Sequence, residues 1–264
     1  MPAQNALRLV AAPALVAMVA AAGPASAQES PDRDEWRFEI GAGGALTPDY
    51  EGSSDYELRP LPYLSAERGP YWVSLNGLTA RANLVPSEVF TAGPVVRYRG
   101  KRGSVQNDAV DDLSNVDPAV EIGAFGRMNL NGFLLEGSAT QDVADGHDGL
   151  LASVGTGFGY EFTDSLAGSA IISTTYASGN YMSSYFGVDA GDAARSGLDE
   201  YDADGGFKDV GLRLNARYDF STSLAVTATA AYTRLVGDAA DSPIVDDEGS
   251  ENQVLGLLTL IYAF

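Results

Sequence analysis

The chain of 264 residues contains one histidine, His147, and no cysteine. A thiolate nucleophile or thiolate metal site is therefore impossible, and disulfides play no part in stability. Catalysis through a Ser–His–acid set needs a serine beside a positioned base, yet His147 sits in the short polar stretch Asp145-Gly-His-Asp148 and no Gly-x-Ser-x-Gly elbow occurs. Gly155-Thr-Gly-Phe-Gly159 has a phosphate-loop flavour, but it lies inside a strand-like pattern, where alternating glycines read as close packing. Asp199 to Gly206 reads Asp-Glu-Tyr-Asp-Ala-Asp-Gly-Gly, close to a calcium loop. Counted from Glu200, however, Gly211 falls where the bidentate Glu belongs, so a solvated acidic rim, bridged by divalent ions to lipid phosphates, fits better. No catalytic set, metal site or cofactor is expected, and the chain reads as non-enzymatic.

What remains is a set of charged side chains repeating at every second position. Arg37, Glu39, Glu57, Arg59, Arg81, Arg97, Arg99, Glu121, Arg127, Glu136, Arg213 and Arg217 all fall on the polar face of alternating segments. If those faces line one interior, charges of both signs can pair and close it, or line a small aqueous path. The excess of arginine makes an anion-favouring path the sharper form of the second reading.

The elements that must carry these residues are strands. The period-2 test gives about twelve segments, at 36–46, 55–66, 70–76, 78–85, 88–100, 118–130, 133–142, 149–162, 165–178, 207–220, 223–236 and 252–264. The tenth shows the pattern best: Val210, Leu212, Leu214, Ala216, Tyr218 and Phe220 alternate with Gly211, Arg213, Asn215, Arg217 and Asp219. One face suits lipid and the other suits water. Short turns near 68–69, 85–87, 131–132, 163–164 and 221–222 alternate with long acidic stretches at 47–54, 101–117, 143–148, 179–206 and 237–251. Outer-membrane barrels have that asymmetry between periplasmic turns and external loops, and the bacterial ones have an even strand number. Parity requires a split of 70–85, for which Asn76-Gly77 is a favoured hairpin turn; ten strands is the fallback count. A soluble β-sandwich also alternates. It gives no reason for Trp36, Phe38, Tyr71, Tyr160, Phe162, Tyr218 and Phe220 to collect at the strand ends that would form a periplasmic aromatic girdle.

Both ends of the chain agree. Residues 1–27 carry one positive charge at Arg8, an apolar run from Leu9 to Ala22 and the small-residue ending Ala25, Ser26, Ala27, which reads as a cleaved signal peptide, leaving 28–264 as one barrel domain. The last strand places Leu258, Leu260, Tyr262 and the terminal Phe264 on one face, the kind of ending by which outer-membrane barrels are recognised during assembly. The formal charge of −20 excludes nucleic acid as a partner. The expectation is an all-β, antiparallel up-and-down transmembrane barrel of a Gram-negative outer membrane, in contact with its lipid and lipopolysaccharide.

Several stretches resemble the MipA/OmpV family of outer-membrane proteins. They are Gly41-Ala-Gly-Gly with Pro48-Asp-Tyr-Glu-Gly52, Leu61-Pro-Tyr63, Ala92-Gly-Pro94 with Tyr98-Arg-Gly-Lys-Arg102, Tyr185-Phe-Gly-Val188, Ser196-Gly-Leu198 with Gly205-Gly206, Gly237-Asp-Ala with Asp241-Ser-Pro-Ile-Val245, and the terminal strand. Lys101 departs from the Gly-Arg ending expected there. The resemblance implies an outer-membrane location. For the family's first-named member it implies a scaffold joining a lytic transglycosylase to a murein synthase; other members are adhesins or channel-like proteins.

Overall fold

The computed structural model describes residues 35–264, so the signal peptide expected at 1–27 lies outside the described residues. Twelve strands follow one another: β1 (Arg37–Pro48), β2 (Tyr56–Arg68), β3 (Tyr71–Asn76), β4 (Thr79–Asn83), β5 (Phe90–Arg99), β6 (Ala119–Leu130), β7 (Phe133–Asp142), β8 (Leu150–Thr163), β9 (Leu166–Ala177), β10 (Gly206–Asp219), β11 (Leu224–Leu235) and β12 (Asn252–Ala263). Each pairs antiparallel with its chain neighbours, and β1 pairs with β12 from Glu39↔Ala263 to Leu46↔Gly256, closing the barrel. Closure needs close approach at this seam. A Cβ on Gly43 would fall on the Leu258 carbonyl, so only glycine fits there.

The outer wall is a belt of exposed apolar side chains, among them Ile40, Val154, Ile172, Leu212, Leu214, Leu258 and Leu260, with aromatic rings at the turn end. Phe38 and Phe264 exchange backbone hydrogen bonds across the seam and stack at 5.9 Å. The alternation that exposes these groups turns the interleaved residues inward, and not all of those are polar. Val95, Leu134, Ile171 and Ile261 are each 1 % exposed, so part of the interior is a packed apolar core.

The split within 70–85 comes one residue later than the sequence suggests. Asn76 pairs with Thr79, leaving Gly77-Leu78 as the turn, and Gly77 takes the left-handed φ of 57° that a non-glycine resists. Strands β3 and β4 have only six and five residues, against ten to fourteen in the others. A membrane-crossing strand needs about 9–11 residues, so this hairpin stops part-way up the wall.

The long acidic connections, expected as solvated loops, fold over the external mouth. They form α1 (Asp108–Asp111), α2 (Gly179–Phe186), α3 (Ala190–Ser196), α4 (Pro243–Asp246) and a single 3-10 turn (Gly237–Ala239). Side-chain caps start three of these helices: Asn107 accepts from Val110 N–H, Asp189 from Asp192 N–H and Ser242 from Ile244 N–H. Tyr181, Met182, Tyr185 and Phe186 of α2 pack with Val116, Leu151, Leu235 and Val245, while Tyr50, Val110, Leu113, Val188, Leu198 and Ile244 form a second cluster. Tyr181 and Phe186 are fully buried, which makes this a cap with its own core.

Candidate functional site

Strand alternation brings Arg97 and Arg99 of β5 beside Glu121 of β6, and the carboxylate becomes the hub of the upper interior. It accepts from Arg97 Nη1 at 3.2 Å, Arg99 Nε at 2.8 Å and Thr140 Oγ1 at 3.0 Å. His147 adds Nε2 at 3.4 Å. His147 Nδ1 accepts from Gly149 N–H at 3.0 Å, which leaves Nε2 as the ring nitrogen that faces Glu121. The Arg99 guanidinium also lies 5.2 Å and 5.5 Å from the ring centroids of Tyr181 and Tyr185, so the hub fastens the cap to the wall.

Sequence spacing places His147 in a loop and gives no hint that it reaches the interior. The cause is Asp142, whose carboxylate accepts from the backbone N–H groups of Ala144, Gly146, His147 and Asp148 and folds the connection inward. Asp followed by Gly and a second Asp-Gly pair signals a tight turn, but not its direction.

Most of the other charged interior residues are paired. Arg213 meets Glu136, and Arg217 meets Glu39 at 3.1 Å and Asp219 at 3.0 Å. Arg37 reaches Glu39 at 3.4 Å and Glu67 at 3.8 Å, and Arg59 pairs with Glu57. Arg81 lies over the Phe125 ring at 5.8 Å; among the described residues neither it nor Arg127 has a carboxylate partner at salt-bridge distance. In the stretch proposed as calcium-like, Asp238 accepts from Asp204 N–H at 2.8 Å. Among the described residues no three acids or imidazoles converge on a metal-sized gap.

A second polar cluster joins cap and wall on the opposite side. A bulge between Phe207 and Asp209 turns both Lys208 and Asp209 inward. Lys208 pairs with Glu51 and with Asp209 at 2.7 Å, and Tyr181 donates to Glu51 at 2.5 Å. Burial raises the Glu51 carboxyl, but Lys208 and Arg99 outweigh it and hold the group below its usual range. Burial pushes the Tyr181 hydroxyl well up, and those of Tyr185 and Tyr50 to about 12.

Between cap and wall lies a chamber of about 390 Å³. Its lining includes Arg59, Arg99, Lys101, Arg102 and Lys208 against only three carboxylates, those of Asp49, Glu51 and Asp209. Arg59, Arg99 and Lys208 are paired with Glu57, Glu121 and the Glu51 and Asp209 carboxylates, so Lys101 and Arg102 are the lining cations without a carboxylate at salt-bridge distance among the described residues. Arg102 is 6 % exposed and donates to two carbonyls, Tyr185 O at 2.7 Å and Ser114 O at 3.2 Å.

A closed, even-numbered antiparallel barrel with a lipid-suited belt and an aromatic girdle is an outer-membrane protein of the Gram-negative type. The model of the family described as MltA-interacting protein MipA matches residues 40–264, and the chain belongs to that family. The MltA-interacting protein of Escherichia coli (strain K12) is 27 % identical over 217 residues, covering 80 % of this chain and 85 % of its own. Outer membrane protein OmpV of Vibrio cholerae serotype O1 is 28 % identical over 241 residues and 87 % of each chain. Among solved structures, an outer-membrane channel from Pseudomonas putida F1 aligns over 92 % of this chain and 100 % of its own at 11 % identity and a TM-score of 0.47. The KdgM porin aligns over 86 % and 99 % at 9 % identity and a TM-score of 0.42.

Proposed function

We propose that this protein is a non-enzymatic outer-membrane anchor that gathers a lytic transglycosylase and a murein synthase at its periplasmic face. The observation that carries this is the cap. Fully buried Tyr181 and Phe186 close the external mouth and Arg99 ties the cap to Glu121, an arrangement suited to a plugged barrel rather than a diffusion pore. The relative named MltA-interacting protein supplies the partner class. Short periplasmic turns offer less than the roughly 800 Å² per side of a standard interface, so binding is weak and relies on partners tethered in the same membrane.

The test is photo-crosslinking in intact cells from Pro86, Asp164 and Thr222, which are exposed turn positions without left-handed backbone. Recovery of a transglycosylase or murein synthase is expected. Capture of nothing above lipoprotein background would refute the scaffold.

A second reading, a narrow anion-favouring path, draws on Arg81 and Arg127, strand arginines without a carboxylate at salt-bridge distance among the described residues. R81Q/R127Q should then shift the reversal potential in planar bilayers, whereas R97Q/R99Q would chiefly unbalance Glu121. An unchanged potential in a conducting pore would end this reading.

A further inference from the structure

The wall has an opening on one side. Strand β2 pairs with β3 only from Tyr63↔Asn76 to Arg68↔Tyr71, and Gly77 N–H to Pro62 O, at 2.8 Å, is the uppermost bond on that edge. On the other side, β5 pairs with the hairpin up to Arg97↔Thr79, and Tyr98 N–H to Leu78 O, at 2.9 Å, is the last contact. Above Gly77-Leu78, β2 and β5 exchange no backbone hydrogen bond, although about three strand spacings, ~14 Å of wall, separated them below. Overhead, Gln106 N–H donates to the Asp49 carboxylate at 2.8 Å, joining the two external connections that continue from β5 and β1. The result is a window with a lintel, two jambs and a sill.

The window lies in the external half of the apolar belt and opens into the chamber. Leu58 on the β2 jamb is 77 % exposed to the lipid side and pairs with Leu46 near the top of β1. The chamber lining includes both jambs, with Arg59 from β2 and Gly100 and Lys101 from the end of β5. The side chain of Arg59 is 47 % exposed, against 29 % for Arg97, which lies opposite Thr79 of the hairpin. Lys101 is exposed, and among the described residues no carboxylate pairs with it.

Backbone chemistry limits what can fill the gap. Since Pro62 O faces the hairpin, strand parity turns the backbone of Pro60 and Leu58 the same way, toward the window. Proline at 60 and 62 removes donors from that edge, which makes it a poor template for an added strand. The remaining carbonyls cannot face bare hydrocarbon, because an unpaired backbone group in lipid costs several kcal/mol. Pure acyl chain therefore does not suit the opening, and a peptide strand suits it little better. A molecule with a polar anionic head and an apolar tail does. The head answers Lys101 and Arg102, with Arg59, already paired with Glu57, beside them, and the tail stays in the outer leaflet next to Leu58.

We infer that this window is a lateral binding site for a single-chain amphiphile with an anionic head group, which enters the chamber head-first from the outer leaflet. The chamber volume falls within the range of about 300–1,000 Å³ typical of small-molecule sites. The inference is independent of any periplasmic partner.

The experiment uses the purified barrel in phosphatidylcholine nanodiscs, with dansyl-labelled undecanoic acid as probe and its methyl ester as the neutral control. The acid should bind saturably and the ester at least tenfold more weakly. R59Q/K101Q should weaken the acid about tenfold or more, since it removes two positive charges from the lining. G100W should abolish binding by filling the window; a Cβ there meets nothing within 4 Å, so the substitution is compatible with folding, which heat-dependent gel mobility verifies. A228W, on the lipid face of β11, should bind as wild type. Displacement by dodecyl phosphate but not dodecanoate would assign a phosphate head, and the reverse a carboxylate. Absent binding, equal binding of acid and ester, or wild-type binding by folded G100W would each overturn the inference.

Discussion

Replacing Glu121 by Gln tests whether the upper interior is held by one carboxylate. The substitution keeps volume and shape but takes from Arg97 and Arg99 the carboxylate they share, and it disturbs the bonds from Thr140 and His147. Removing one partner of a buried ion pair costs about 3–5 kcal/mol. Here the carboxylate is fully buried while the two arginine side chains are 29 % and 25 % exposed, so residual hydration places the cost near ~3 kcal/mol, roughly a 150-fold change in the folding constant. Urea unfolding of the barrel in short-chain lipid, followed through Trp36 and Trp72 and by gel mobility, measures it. The triple variant R97Q/R99Q/E121Q removes the stranded charges and should recover most of the loss. A single variant within ~1 kcal/mol of wild type, or a triple variant no more stable than the single one, would refute the hub.

Three further outcomes follow from the geometry. D142A removes the acceptor for four backbone N–H groups, so the 143–148 connection should open to protease, with a stability loss of about 2–4 kcal/mol; resistance equal to wild type would show that the loop holds itself. The cap should loosen at both pH extremes. Glu51, held low, contributes stability that is complete above its ordinary value near 4.5 and fades as pH falls through the depressed one, while Tyr50 and Tyr185, raised to about 12, contribute below 10 and lose it between 10 and 12. Limited proteolysis of α2 across pH should show that plateau, and a profile flat from pH 3 to 12 would be inconsistent with it. Finally, F264A should slow assembly in cells more than it lowers the stability of the refolded barrel, because Phe264 is 70 % exposed and contributes mainly ring stacking on Phe38 and Tyr262. A stability loss without an assembly defect would contradict an assembly signal at this position.

The barrel is legible in the sequence because each strand has to solve the same two-sided problem, lipid outside and interior inside, and period-2 alternation is the visible solution. The strand ends in the structure fall within two residues of the alternating segments, and parity finds the short hairpin. The cap is not legible that way. Its apolar residues, such as Val110, Leu113, Tyr181 and Ile244, are spread over separate connections and obey no common period, and they meet only once the barrel brings those connections to one mouth. Local signals did exist: Ser242 followed by Pro243 marks a helix start, as does Asp189 three residues before Asp192. The interior's apolar half escapes for a related reason, because β12 carries Leu257 and Ile261 inward as well as Leu258 and Leu260 outward, and alternation of polarity vanishes where both faces are apolar.

The window is a different case, since the residues that mark it are visible in the chain and break a strand rule. A proline in the middle of a strand withholds a ladder donor and belongs at an edge. Pro60 and Pro62 in β2 turn their missing donors toward the hairpin and the gap above it, whereas Pro94 in β5 lies lower, level with Ala82 of β4. In a barrel closed from rim to rim there is no edge for them to occupy. Two successive edge prolines, Pro60 and Pro62, therefore mark the place where the wall is interrupted, and the five-residue β4 is the complementary fact on the hairpin's own side. Gly100 completes the set: it carries no side chain where one would narrow the gap, although nothing around it forbids a Cβ. Packing gives no reason for glycine at that position, whereas an opening that must admit a ligand does.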